Sequence, residues 1–350
     1  APGQVILELE TEASSTIRVN RMVEIDRRLM PRRENEVTGP RAHLRLSSGS
    51  YLMDVSADGF HSARYPMMVE RASKQTLRIQ LPQAGSVAEG FIFIPGGPAT
   101  IGGDSLAPNS LPLMTIDVPS FCLAMFPVTF GEYIEFLNTL LESDPDAAVK
   151  HRPRTAGDGD LCVRDDSGRF VPSDKLIEGE ARRRYPLGEG HEFFLPVYGV
   201  NWHDAVAYAA WRSERDGVRY RLPTEYEWEK AARGVDRRVF PWGDTFDSSF
   251  CAMYDSRPEL PQPEPVGVFT SDESPYGVRD MAGGIREWVA DIYGEESVEE
   301  TGEQAKSELQ RMIRGGAWGL TEHFTRAGCR YHTLPKFRNP VVGFRLAHDI

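Results

Sequence analysis

Apolar positions follow two different periods along the chain. Up to about residue 82 they recur in short β-rich runs: Gln4–Glu10, Ser15–Asn20, Tyr51–Ser56 after the Ser48-Gly49-Ser50 turn, and Gln75–Leu81, the last alternating at period two. Such runs predict half-buried strands, and no helical stripe interrupts them. Residues 1–82 therefore read as all-β. Pro82 to Gly90 mixes Pro, Gly, Ser and Ala with no apolar period, which predicts a linker at 83–90.

From residue 91 to 350 the pattern changes. Thr129 and Glu132 have capping-box spacing, and Tyr133, Phe136, Leu137, Leu140 and Leu141 follow on one helical face. Asn201 with Asp204 opens a second helix through Ala205, Tyr208 and Ala209 to Trp211. Thr224 with Glu227 opens a third directly after Pro223, with Trp228, Ala231 and Ala232 as its buried stripe. The rest is short runs and Gly/Pro turns, with polar insertions near 143–192 and 294–311 and no tandem repeat. A fold this loop-rich would expose much variable surface on a modest scaffold. Most of Trp202, Trp211, Trp228, Trp242 and Trp288 are expected in the core.

Composition narrows the function classes. With 350 residues, 40% apolar and 26% charged, the chain has room for two ordinary globular domains. Its formal charge of −12 divides unevenly: residues 1–89 carry 12 basic against 11 acidic side chains, the remainder 28 against 41. That balance lacks the basic footprint of a nucleic-acid binder. No apolar run approaches the roughly 20 residues of a membrane span, and no signal peptide begins the chain. The start at Ala1-Pro2-Gly3, without Met, reads as part of a longer or processed protein. Cys122, Cys162, Cys251 and Cys329 form no CxxC pair, which argues against a zinc ribbon or dithiol motif and for buried or free thiols. There is no G-x-S-x-G elbow, HExxH or P-loop.

The most informative stretch is Arg314-Gly-Gly-Ala-Trp-Gly319, followed by Arg326-Ala-Gly-Cys-Arg-Tyr331 and Gly343-Phe-Arg-Leu-Ala347. Gly315 and Gly316 suit a tight backbone passage, Trp318 and Phe344 look like buried anchors, and the arginines can fix loops by hydrogen bonds. These motifs resemble the C-terminal signature of the formylglycine-generating, or sulfatase-modifying, enzyme family. Phe91–Gly97 with Ile101–Gly103, Arg221–Glu229 and Tyr276–Trp288 agree with it in order and spacing. The resemblance implies a C-type-lectin-like α+β fold over 91–350. Ser50–Phe60 is similar to the core of PEGA-type β-sandwiches, which implies a spacer or adhesion module at 1–82.

The resemblance also sets chemical expectations. Formylglycine synthesis uses copper(I) held by two thiolates between the RGG motif and the following arginines. Here Gly319–Thr325 contains no cysteine, and Cys329 lies beyond Arg326. Relatives that form carbon–sulfur bonds with nonhaem iron take histidines from an added helical bundle, whereas residues 1–82 hold only His43 and His61. Calcium is implied for the family, but Gly284 and Ala252 stand where relatives place Asn, with Asp255 nearby. Glu287 reads equally as a calcium ligand or as a buried partner of Arg286 or Arg314. The expectation is no metal, no cofactor, no catalytic residue and no enzyme. Binding is assigned to the irregular C-terminal surface: Trp318, Thr321, Glu322, His323, Phe324, Arg330, Tyr331, His332, Lys336, Phe337 and Asn339.

Two contexts fit a binding region. Pro127–Leu137, Phe240–Cys251 and Gln262–Met281 resemble the segment after the catalytic domain of bacterial Ser/Thr kinases, which implies a sensor or scaffold with a kinase in the same polypeptide. The same fold also serves as the variable protein of diversity-generating retroelements, with 318–341 as the diversified stretch. A metal-dependent oxygenase of the family is the third alternative. The ligand, protein or small molecule, is left open, as is the compartment, cytoplasmic or exported.

Overall fold

A computed structural model describes residues 3–9, 15–156, 159–178, 187–294 and 309–350. Its first seven strands form two sheets. One runs in the order Arg28–Thr38, Ser15–Ile25, Gly49–Ala57, Ala63–Val69; the other sets Gly3–Leu9 between Arg41–Leu46 and Lys74–Ile79. Ile17, Val19, Tyr51, Met53 and Val55 share one buried cluster with Leu44, Leu46 and Ile79.

Arg28–Thr38 had no alternation to announce it. It is a mostly exposed edge strand, so neither face demands apolar residues, and its charges discourage edge-to-edge pairing. Ala63–Val69 does alternate, but Pro66 argues against a strand; it sits at a sheet edge, where proline is tolerated.

Residues 83–90 lead into the second unit, yet the two units are docked rather than merely tethered. Leu29 N–H donates to Trp242 O at 2.7 Å, Ser50 Oγ to Asp236 at 2.6 Å, and Arg27 and Arg64 pair with Asp247 and Glu273 at 2.7 and 2.8 Å. One apolar cluster runs through both units, joining Ile79 and Leu81 to Phe91 and Phe93.

In the larger unit all three capping boxes form, opening helices Phe130–Ser143, Trp202–Asp216 and Glu225–Arg233. Tyr133 and Phe136 of the first meet Tyr208 of the second with ring centroids 5.6 Å apart in each pair, and Phe344 closes the group at 5.4 Å from Tyr208. Trp228, Trp242 and Trp288 are buried. Trp202 and Trp211 are only half-buried, because Arg311 and Arg215 cover their rings at 4.1 and 4.8 Å.

Two four-stranded sheets complete the unit. The first runs Tyr220–Arg221, Ala347–Asp349, Phe121–Ala124, Phe91–Ile94, so it joins the start of the unit to the end of the chain. The second runs Arg330–Thr333, Arg311–Arg314, Arg286–Ile292, Val342–Phe344, with the last pair parallel. The polar insertions fall partly outside the described residues, at 179–186 and 295–308. No described helix is long and apolar enough to cross a membrane.

Candidate functional site

The second sheet and the turns leaving it carry the C-terminal motifs. Gly315 has φ 79° and packs where a Cβ would stand 3.1 Å from the Trp228 ring; at Gly316 a Cβ would collide with the Ala282 carbonyl. The motif arginines are each held by a carboxylate. Arg314 donates to Glu229 at 2.6 Å, and Glu229 also receives Arg233 at 2.7 Å. Arg326 pairs with Asp104 at 2.7 Å and Arg330 with Glu225 at 2.7 and 2.9 Å. Glu287 is taken by neither expected arginine: it accepts from Arg345 at 2.7 and 2.8 Å and from Trp228 Nε1 at 2.9 Å. Parallel pairing of 286–292 with 342–344 brings these distant residues together.

Of the predicted surface residues, the structure gathers some and separates others. Arg286 lies 5% exposed between the rings of Phe324 and Tyr331, 5.3 and 5.0 Å from their centroids. It donates to Gly315 O at 2.9 Å and to Cys329 Sγ at 3.3 Å, and burial lowers its pKa. No carboxylate reaches it among the described contacts. His332 follows on the same edge strand, its ring 6.1 Å from that of Tyr331 and stacked on Tyr293 at 3.5 Å, and it meets Gln310 Oε1 at 2.6 Å. Burial, then the charge of Arg330, lowers its pKa.

The remaining residues have other surroundings. Trp318 is half-buried and donates to Pro340 O at 3.1 Å; Asn339 Oδ1 accepts from Val341 N at 2.9 Å, so both shape the return turn. Arg330 is tied into the frame through Glu225. Thr321 and Glu322 begin the short helix Glu322–Thr325; Thr321, His323, Lys336 and Phe337 are exposed. Tyr293, 46% exposed, was not anticipated. It stands outside the motif segment, and an aromatic at the end of Arg286–Ile292 ahead of a polar insertion was the available signal.

The start of this edge strand is already covered: Arg330 N–H donates to Pro108 O at 3.0 Å, and Asn109 Nδ2 donates to Arg330 O at 3.3 Å.

The donor sets do not fit the metals implied by the resemblance. Cys329 is a single buried thiol, with its pKa raised by burial, so a copper-binding thiolate pair cannot assemble. At the calcium position Gly284 and Ala252 offer no side-chain oxygen, and Glu287 is fully engaged. Among the described residues no three His, Cys, Asp or Glu side chains gather as a metal site. Two buried carboxyls lie nearby: burial raises Asp272 to about 7 and Asp280 to about 6, although Asp272 accepts from the Met281, Ala282 and Gly283 amides.

Fold and motifs together define an α+β protein with the C-type-lectin-like architecture of formylglycine-generating enzymes. The chain belongs to the family of sulfatase-modifying factor enzyme 1-like domains, whose model matches residues 79–350. It is 32% identical over 286 residues to hercynine oxygenase of Mycolicibacterium smegmatis, covering 75% of this chain and 62% of that protein. It is 29% identical over 267 residues to serine/threonine-protein kinase Pkn1 of Chlamydia trachomatis serovar L2, covering 74% of this chain and 38% of the kinase. The structure of PvdO from Pseudomonas aeruginosa superposes with a TM-score of 0.52 at 25% identity, over 74% of this chain and 94% of PvdO. The chain thus spans less than two thirds of the oxygenase and of the kinase.

These relatives correct one expectation. A nonenzymatic assignment does not stand, because a protein 32% identical over three quarters of the chain is an oxygenase by name. The missing cysteine pair removes one reaction from consideration; it is not an argument against catalysis in general.

Proposed function

We propose that this chain is the ligand- or protein-recognition region of a larger bacterial protein, joined in one polypeptide to a Ser/Thr kinase. It grips its ligand with the C-terminal edge of the second sheet. The supporting observation is a set of exposed aromatic side chains on a rigid frame: Tyr331 (43% exposed), Phe337 (41%) and Tyr293 (46%). Beneath Tyr331 sits Arg286, a buried guanidinium covered by the Phe324 and Tyr331 rings and bonded to Gly315 O, so it holds the aromatic edge in place. The likeness to Pkn1 supports the kinase context.

Reading the coding DNA on both sides of this segment tests the context. An in-frame kinase catalytic domain supports it; a complete reading frame without one overturns it. A neighbouring reverse transcriptase with a near-copy of the 318–350 segment would instead support retroelement diversification. In that case variation would concentrate at exposed Thr321, His323, Tyr331, Lys336 and Phe337, because Thr325, Arg326, Ala327, Gly328 and Cys329 are buried.

A further inference from the structure

Three clefts among the described residues lie along the seam between the two units. One, of about 460 Å³, is within the size range of small-molecule sites, and domain seams are a common place for such sites. Its apolar wall is Ile92, Phe93 and Met125 of the larger unit, and its cations are Arg18 and Arg64 of the β-sandwich with Arg279 opposite.

The three arginines are not equivalent. Arg64 is neutralised by Glu273 at 2.8 Å and Asp54 at 3.8 Å. Gly277, with φ 98°, keeps room for it: a Cβ there would stand 3.1 Å from Arg64 Nη1. Arg18 meets Glu36 at 3.3 Å with both side chains half-exposed, a weak pairing. Arg279 makes one long hydrogen bond, 3.3 Å to Gly267 O, and lies over the Phe126 ring at 5.7 Å. No ion pair holds it among the described contacts, although its charge acts on the neighbouring Asp280 carboxyl, and its buried Nε has no acceptor. A guanidinium whose buried Nε has no acceptor, lining a cleft beside an apolar wall, is the feature that suits an anionic ligand.

We propose that this cleft binds a small aromatic organic anion, its carboxylate or sulfonate on Arg279 and Arg18 and its ring against Ile92, Phe93 and Met125. Because the walls come from both units, the bound ligand strengthens their docking and raises the unfolding temperature in proportion to its occupancy.

The test is titration of the folded chain with 8-anilinonaphthalene-1-sulfonate, an aromatic sulfonate that fluoresces when it leaves water. Wild type is expected to bind one dye per chain and to unfold at a higher temperature with it. Arg279→Gln removes the cation, and Ser62→Trp fills the cleft from an exposed position lining it. Each should weaken binding about fivefold or more, the scale of one charge-assisted hydrogen bond. Tyr331→Ala, on the C-terminal edge, should leave dye affinity unchanged. The proposal is overturned if wild type binds no dye, if both seam variants bind like wild type, or if only Tyr331→Ala weakens binding. That last pattern would place the anion on the C-terminal edge and leave the recognition reading intact.

Discussion

Arg326 and Tyr331 are five residues apart and do opposite things. Arg326 is buried against Asp104, one of four motif arginines each locked to a carboxylate from elsewhere in the chain. Tyr331 stands 43% exposed with its ring over Arg286. The interior of this segment is a lattice of charge pairs; its edge is a set of aromatics with little left to hold. The arginines of the motif are therefore structural, and the exposed side chains lie between and after them.

The largest expected effect comes from breaking the lattice at its centre. Glu287→Ala strips the partner from Arg345 and Trp228 Nε1 in a fully buried setting, leaving an uncompensated charge. Loss of about 3–5 kcal/mol is expected in a denaturant melt, or insoluble protein. A loss under 1 kcal/mol would mean the pairs do not organise this unit. Next is Phe324→Ala, which uncovers one side of Arg286; about 1–3 kcal/mol is expected, read by the same melt.

A pH comparison sharpens the contrast in the interior. Asp280 is held near 6 by burial, above the usual value of about 3.9 for aspartate. A raised carboxyl stabilises the fold fully below about pH 4, and that contribution is lost as pH rises through about 6. Asp280→Asn stays neutral, tolerates the φ of 55°, and keeps an oxygen for the Gly267 amide. It should gain about 1–2 kcal/mol relative to wild type at pH 8 and nothing at pH 4. An equal effect at both pH values would show that the carboxyl ionises normally. The smallest effect belongs to the edge: Tyr331 also covers Arg286 but is itself 43% exposed, so Tyr331→Ala should cost about 0.5–1 kcal/mol.

Local signals were legible. Thr129/Glu132, Asn201/Asp204 and Thr224/Glu227 state helix starts within four residues, and each box forms as written. Partners were not legible, because Arg345 reaches Glu287 across 58 positions and Arg314 reaches Glu229 across 85. Glu287 could therefore be read as a calcium ligand or a mate for Arg286. Edge strand Arg28–Thr38 was hidden because exposure on both faces erases alternation. At the candidate site, Phe324 and Tyr331 were foreseeable as aromatics in an aperiodic stretch, whereas Arg286 between them depended on strand register. Docking of the sandwich on the larger unit, with the clefts it creates, is written in single contacts such as Leu29 to Trp242, which leave no pattern in sequence.

The most direct test of the account separates recognition from framework. Peptides selected from a random library on wild-type protein would be titrated calorimetrically into wild type and into the Tyr331→Ala, Phe337→Ala double variant, with an unfolding curve for each. The account predicts that affinity falls about tenfold or more while the unfolding temperature moves by no more than about 2–4 °C. Unchanged affinity, or a loss seen only alongside a collapsed unfolding temperature, would contradict it.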